Sequence, residues 1–295
     1  MILMYHRVAP AADDLWGIAV EPDRFAEQIE ALKRVRQVVS LDEIVAWMDH
    51  AKPGPKPLAA VTFDDGYHDA LTAASPILER LDCPATVFVA TGLVGTDKAF
   101  WWDELVRLIL SAPPSAPPLT LTFGQAPFTW PVADDLPARR KLCRRVRRRL
   151  RDLEPDHIEA HLDAISAWSG APRGAPESDR AMTPDEVHRL GQGPVTIGAH
   201  TVRHPSLPTM TPEAQLAEIS ESRAACEAWT GKPVDHFAYP FGHYDRSSVE
   251  AARAAGFRST CATTPGVVRP WTDPHRLPRI VPGVMDGEAL TRFLS

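Results

Sequence analysis

Short continuous apolar runs alternate along this chain with longer stretches in which apolar residues recur every three or four positions. The runs Ile2 to Tyr5, Val38-Val39, Leu58 to Phe63, Ala85 to Val89, Val195 to Ala199, Phe237 to Tyr239, Ser259 to Ala262 and Arg276 to Val281 read as buried strands, because they are brief, partly β-branched and bounded by turn residues. Between them the helical period predicts α-helices. One covers about Pro22 to Val35, where Phe25, Ile29 and Leu32 are spaced by four and three. A second runs from Leu41 to His50 behind Ser40, with Glu43 at the capping-box position. Others cover about Asp69 to Leu81, Pro212 to Thr230 before Gly231, Ser247 to Ala255 before Gly256, and Asp286 to Leu294. Strand, helix and strand in this rhythm argue for parallel βαβ units and a body of about seven strands.

The rhythm breaks after Gly95. A helix from Phe100 to about Leu110 is followed by Pro113, Pro114, Pro117 and Pro118. A small hairpin is predicted over Leu119 to Phe123 and Pro127 to Trp130, then helices over about Pro137 to Leu153 and Pro155 to Trp168. The stretch from about 103 to 181 therefore reads as a mainly helical insertion in a single domain spanning residues 1–295. The body resumes at Thr183-Pro184-Asp185-Glu186, an N-cap followed by proline at the first helical position.

Composition narrows the class. The 295 residues are 44% hydrophobic and 24% charged, with 29 prolines and a net charge of −6, which suits a globular α/β protein and gives no general case for nucleic-acid binding. Charge is nevertheless segregated. Nine of the thirteen residues from Arg139 to Arg151 are basic. Taking those nine charges out of the net −6 leaves −15 on the remainder. The helix is either a solvated face or a contact for an anionic membrane or phosphate group. Four dispersed cysteines without CxxC spacing suggest a reduced chain. No apolar stretch reaches the ~20 residues of a membrane span, and a cytoplasmic protein, associated with membrane at most peripherally, is the expectation.

Two places carry candidate chemistry. The run ending at Phe63 leads into Asp64-Asp65-Gly66. Adjacent carboxylates at the end of a buried strand are costly without a partner, and a metal ion is one solution. Successive strand residues face opposite ways, so both can serve one site only if the chain turns, which Gly66 permits. The strand ending at Ala199 leads into His200-Thr201-Val202-Arg203-His204-Pro205. Imidazoles four residues apart can reach one ion from one helical turn, and Asp/His/His is a plausible zinc set with open positions. His157 and His161 share that spacing but sit in a charged helix and read as surface residues.

Thr62 to Gly66 and His200 to Pro205 resemble the first two motifs of the polysaccharide deacetylases, the NodB-homology enzymes of carbohydrate esterase family 4. Tyr239-Pro240-Phe241-Gly242 resembles the third, and Leu3 to Arg7 with Trp101-Trp102-Asp103 resemble stretches of members encoded near surface-glycan genes. The resemblance covers about residues 1–102 and 182–295. It implies a distorted (β/α) barrel with the insertion. It implies a divalent metal on Asp65, His200 and His204, most often Zn²⁺, with Co²⁺ or Ni²⁺ as alternatives. Asp64 would be the general base, and the backbone N–H of Phe241 would receive the oxyanion. Tyr239, in the same motif, would line the substrate or oxyanion site, and Trp101, Trp102 and Phe241 would suit stacking on a sugar. The implied substrate is an acetylated sugar or glycan, with a lipid-linked precursor as one form.

Two departures stand out. Ala238 occupies the place where the family commonly has an arginine that orients the base. The fifth motif, commonly Leu-x-His with a general-acid histidine, reads Leu277-Pro278-Arg279. Arg279 is therefore a candidate orienter of Asp64. A guanidinium cannot act as a general acid, so His6 leads the candidates for that role, followed by His243 and His275. A non-sugar amide substrate, or a glycan-binding relative with weak turnover, are the competing readings.

Overall fold

A computed structural model describes residues 1–11, 14–50, 54–132 and 134–294. The chain divides into two compact bodies, Met1–Gly95 with Ala181–Ser295, and Thr96–Arg180. In chain order the strands are β1 (Ile2–Tyr5), β2 (Arg7–Val8), β3 (Ala19–Val20), β4 (Gln37–Val38), β5 (Leu58–Phe63), β6 (Ala85–Val89), β7 (Leu119–Phe123), β8 (Ala126–Trp130), β9 (Val195–Ala199), β10 (His236–Ala238) and β11 (Ser259–Cys261).

In the first body β1, β5, β6, β9, β10 and β11 lie side by side in that order, all parallel, with β4 paired to the start of β5. Residues 277–280 bridge the two edges of this curled sheet. The Leu277 N–H donates to the Thr260 carbonyl and the Ile280 N–H to the Ile2 carbonyl, while Ile280 accepts from the Met4 N–H. The strand expected over Arg276 to Val281 is thus reduced to this bridge.

Period-two alternation divides the core. Ile2, Ala60, Phe88, Ala238, Cys261 and Leu277 form one buried cluster with Leu41, Ile44 and Met48 of the helix Leu41–His50. Leu3, Val61, Phe63, Val87, Ile197, Phe237 and Tyr239 join the other, beneath the remaining helices. Each large side chain so buried contributes about 1.5–3 kcal/mol. Gly198 is dictated by packing, since a Cβ there would lie 2.5 Å from the Phe88 ring.

Helix boundaries follow local chemistry. Thr183 and Glu186 form a capping box, and Gly231 ends Pro212–Thr230 in the left-handed conformation. The helix expected over Asp69 to Leu81 instead opens with a π-helical turn, Ala70–Ala74, before Ser75–Arg80. Pro76 has no N–H to give to the carbonyl four residues back, and its ring crowds that turn.

The helix Leu41–His50 is pinned to the ends of β10 and β11 by Asp42, which lies 3.2 Å from buried His236 and 2.9 Å from Arg258. The adjacent His236 imidazole, aided by Arg258, holds the Asp42 carboxyl below its ordinary range. A depressed folded pKa gives stability that is full above the unfolded value of ~3.9 and is lost as pH falls through the folded value. Asp42→Asn is therefore expected to melt a degree or two below wild type at neutral pH, the scale of a half-exposed ion pair in a chain of this size. The gap should close in acid; thermal melts from pH 7 to pH 3 that keep a constant gap would contradict the assignment.

In the second body β7 and β8 form an antiparallel hairpin, and helices cover Trp101–Ser111, Leu136–Leu150 and Pro155–Ser169. Trp101 and Trp102 are buried there, packed edge to face with centroids 5.6 Å apart. Buried indoles offer no open face to a sugar, which corrects their expected stacking role. His161 is tied to the His157 and Thr122 carbonyls and stacks on Phe123, so that pair is engaged in the second body's own packing. No helix among the described residues is long and apolar enough to cross a membrane.

Candidate metal centre

Asp64 and Asp65 follow β5, and His200 follows β9, so alternation delivers all three to the carboxyl-terminal ends of parallel strands, where α/β enzymes collect their chemistry. The turn that separates the two carboxylates starts one residue earlier than the glycine. Asp65 itself has φ +77° and Gly66 has φ +87°. The Gly66 N–H donates to the Asp64 carbonyl at 3.0 Å, and the Asp65 carbonyl accepts from the Ala90 N–H. Gly66 is also pressed against β6, where a Cβ would lie 3.1 Å from Val89.

His200 and His204 do not share a helical turn. The segment between them is a tight loop in which Thr201 and His204 have φ of +66° and +55°. Each such residue costs of order 1–3 kcal/mol, and such strain persists only where surroundings over-determine it. Here Pro205 disfavours helix at His204. The Thr201 hydroxyl accepts from the His204 N–H, and the Thr201 and Val202 carbonyls accept from Thr91 and Gly92. Buried Glu218 accepts from the Val202 and Arg203 N–H groups, both at 2.9 Å, and from the Arg203 guanidinium at 2.8 Å. Sequence reading missed Glu218. Its signal is that it shares the buried face of Pro212–Thr230 with Gln215, Ile219, Ser222 and Cys226, an unusual place for an acid.

Asp65 Oδ1 lies 3.5 Å from His200 Nε2 and 3.3 Å from His204 Nε2, and all three residues are buried. Bonds of about 2.0–2.2 Å to a tetrahedral ion separate its ligand atoms by roughly 3.4 Å, so the spacing fits a divalent metal. The tautomer fits as well. His200 Nδ1 lies 2.7 Å from the Ala238 carbonyl and must be the donor there, which leaves the Nε2 lone pair facing Asp65. Burial holds the His204 imidazole below its ordinary pKa despite Asp65, the neutral form a metal requires. Burial pushes the Asp65 carboxyl up, but the adjacent His200 and His204 imidazoles outweigh it and hold it well below the ordinary carboxylate range.

Asp64 has a different partner. Arg279, wholly buried, donates from both terminal nitrogens to the two Asp64 oxygens at 2.6 and 2.7 Å. Its Nε donates to the Ala262 carbonyl at 2.9 Å, and Nη1 also donates to the Thr62 hydroxyl at 3.2 Å. Burial raises the Asp64 carboxyl, while Arg279, then His200 and His6, bring it below the ordinary range. Ala238 and Arg279 thus sit in one interior layer, one small and one large. The guanidinium, 5.6 Å above the Phe88 ring, reaches the carboxylate from the closing segment rather than from β10.

Phe241 has φ +57°, and its ring meets His204 edge to face at 4.5 Å. His243 lies beyond it, with Nδ1 3.0 Å from the Ser206 hydroxyl. His6 follows β1 and acts electrostatically on both carboxylates. His275 instead has Arg253 and Asp273 as its charged neighbours. Tyr239 faces the outer layer, buried against Phe237 and Tyr244 with its hydroxyl donated to the His275 carbonyl. Its side chain is therefore a packing element, which corrects the expectation that it meets substrate; alternation turns Ala238 inward and Tyr239 out.

The profile of the family described as Polysaccharide deacetylase matches residues 51–260. YxkH of Bacillus subtilis (strain 168), which bears a polysaccharide deacetylase name, is 26% identical over 117 residues. That match covers 39% of this chain and 41% of YxkH, so the aligned part is under half of the curated relative. Among solved structures, Streptococcus pyogenes deacetylase PplD in complex with acetate superposes with a TM-score of 0.64 at 19% identity, covering 100% of this chain and 97% of PplD. IcaB from Ammonifex degensii gives 0.63 at 18% identity, covering 100% and 94%. At these identities the likeness speaks for the fold.

Proposed function

Because the chain belongs to the polysaccharide deacetylase family, we propose that it is a hydrolase removing N-acetyl, or less readily O-acetyl, groups from a sugar in a glycan or glycan precursor. The observation that carries this reading is the side-by-side placement of two unlike carboxylates, Asp65 with two imidazoles and Asp64 with a guanidinium. Asp65, His200 and His204 would hold a divalent ion, Zn²⁺ before Co²⁺ or Ni²⁺. Such an ion supplies Lewis acidity to an amide carbonyl and to water.

The chain's own residues supply the rest. Asp64 accepts the proton of the attacking water, and the Arg279 fork fixes the carboxylate plane and keeps it ionised. The Phe241 N–H donates to the developing oxyanion. His6 donates the proton to the departing amine, with His243 as the alternative.

The test is acetate release from N-acetylhexosamine oligomers by metal-loaded protein, alongside metal analysis. Wild type is expected to hold about one ion and Asp65→Ala to hold almost none, since three ligands are the minimum of such sites. A metal-free wild type, or turnover untouched by Asp65→Ala, would sink the reading. Release from a small non-sugar amide alone would move the substrate class, and sugar binding without release would make the protein a glycan-binding relative.

We further propose that the helix Leu136–Leu150 rests on anionic lipid, which would suit a lipid-linked substrate. Leu142, Cys143, Val146 and Leu150 face inward, whereas Lys141, Arg144, Arg145 and Arg148 are exposed and have no ion pair among the described residues. Each surface cation is worth about 1 kcal/mol near an anionic leaflet. Wild type should co-sediment with phosphatidylserine vesicles at low salt and release at high salt. Reversing Arg144, Arg145 and Arg148 to glutamate should abolish sedimentation; unchanged binding would remove the idea.

A further inference from the structure

A second cleft lies in the first body at the amino-terminal ends of the strands. It encloses about 640 Å³ between Met1 and Leu58, which begin or precede β1 and β5, and the loop that carries Val267 to Trp271. The metal centre is at the other end of the same strands. Leu58 and Asp64 are six residues apart on and after β5, about 20 Å of extended chain, so the cleft is not an arm of that site.

The lining has one sign of charge. Arg36, Lys56 and Arg269 contribute cations, and among the described residues no Asp or Glu lines it. Two of the cations are anchored by backbone carbonyls. Lys56 donates to the carbonyls of Lys33 and Arg34, at the end of the helix Pro22–Val35, and Arg36 donates to the Leu294 carbonyl. The Arg36 Nε is buried with no hydrogen-bond partner among the described residues. Arg269 is exposed, and no ion pair of its side chain is found among them. Carbonyl partners fix these groups without cancelling their charge, so the cleft favours an anion.

The walls are aromatic. Trp47, from the helix Leu41–His50, lines one side, and Trp271 stands on the rim with 81% of its surface exposed. It is the most exposed large hydrophobic side chain in the described chain. An indole left that open beside a cleft offers a ligand a flat apolar face with a polar N–H at its edge.

From this arrangement we propose that the cleft binds a phosphorylated sugar, the pyranose face lying on Trp271 and the phosphate held by Arg269, Lys56 and Arg36. Three cationic residues along one lining match a dianionic phosphate better than a single carboxylate, and guanidinium groups match its oxygens two at a time. The inference stands on the cleft alone and does not depend on the deacetylase reading.

Calorimetric titration of the full chain tests it, with N-acetylglucosamine 1-phosphate as the probe. Inorganic phosphate, N-acetylglucosamine and glucuronate serve as comparison ligands. The sugar phosphate is expected to bind below about 1 mM, and each comparison ligand about tenfold or more weaker. Trp271→Ala and Arg269→Glu, both at exposed positions that should not disturb folding, are each expected to weaken the sugar phosphate about tenfold. Binding should persist in Asp65→Ala, which separates it from occupancy of the metal centre. No binding, binding abolished by Asp65→Ala, or affinity indifferent to both cleft substitutions overturns the proposal. Inorganic phosphate binding as tightly as the sugar phosphate overturns its saccharide part.

Discussion

Replacing Arg279 by methionine is expected to cost about 3–5 kcal/mol of folding stability, although methionine nearly fills the same space. The loss comes from what remains. Asp64 is only 3% exposed, and without the guanidinium its charge would be left in the interior with its two strongest hydrogen bonds removed. At roughly 2–4 °C per kcal/mol for a chain somewhat smaller than this one, the melting temperature should fall on the order of 10 °C. A buried ion pair is not stabilising merely by being buried, because desolvation offsets much of the attraction. The decisive comparison is therefore a cycle. Asp64→Leu with Arg279→Met should recover most of the stability lost in either single variant, since it removes both charges together. Arg279→Lys should lie between, keeping the charge but losing the fork. If Arg279→Met melted within a degree or two of wild type, Asp64 would have to be solvated or protonated, and the orienting role of Arg279 would be lost with it.

Asp64→Asn should leave the metal in place and lower kcat for acetate release by about 10²–10⁴, the usual weight of a positioned general base. The amide is nearly isosteric and can still accept one hydrogen bond from Arg279, so the variant should fold, though less stably than wild type. Metal content separates the alternatives. Full activity with bound metal would show that another group takes the proton. Lost metal would make Asp64 a ligand rather than a base. His6→Ala is the companion measurement: as the proposed acid, its loss should weigh most on substrates with a poor leaving amine and least on activated esters.

The parallel body and the set of residues that could hold a metal were legible along the chain for a physical reason. Buried strands must be short and apolar, and a carboxylate or imidazole pair at their ends is conspicuous because it is costly there. Tyr239 shows the limit of reading a motif as a unit. Its neighbours belong to the site, yet the two-residue period of β10 sends its ring to the outer layer with Phe237. Trp101 and Trp102 show another limit, since aromatic residues signal a sugar platform and a core equally well until burial is known. The loop between His200 and His204 shows a third. Spacing of four suggests a helix, but the left-handed backbone at Thr201 and His204 depends on Glu218, which lies fourteen residues beyond His204 in the sequence and reaches the loop from the helix Pro212–Thr230.

By itself, then, the sequence determined which residues could bind a metal, and that Asp64 lacked its customary partner. Only the tertiary structure decided what replaces that partner. Arg279 and Asp64 are separated by 215 positions and meet because the curled sheet is closed by residues 277–280 between β11 and β1. Ala238 lies in the same buried cluster as Phe88, over whose ring the guanidinium sits, and Arg279 supplies the cation that pairs the buried carboxylate. Such pairing is set by closure of the barrel and by the cost of an unpaired interior charge, neither of which is written in any local stretch of the chain.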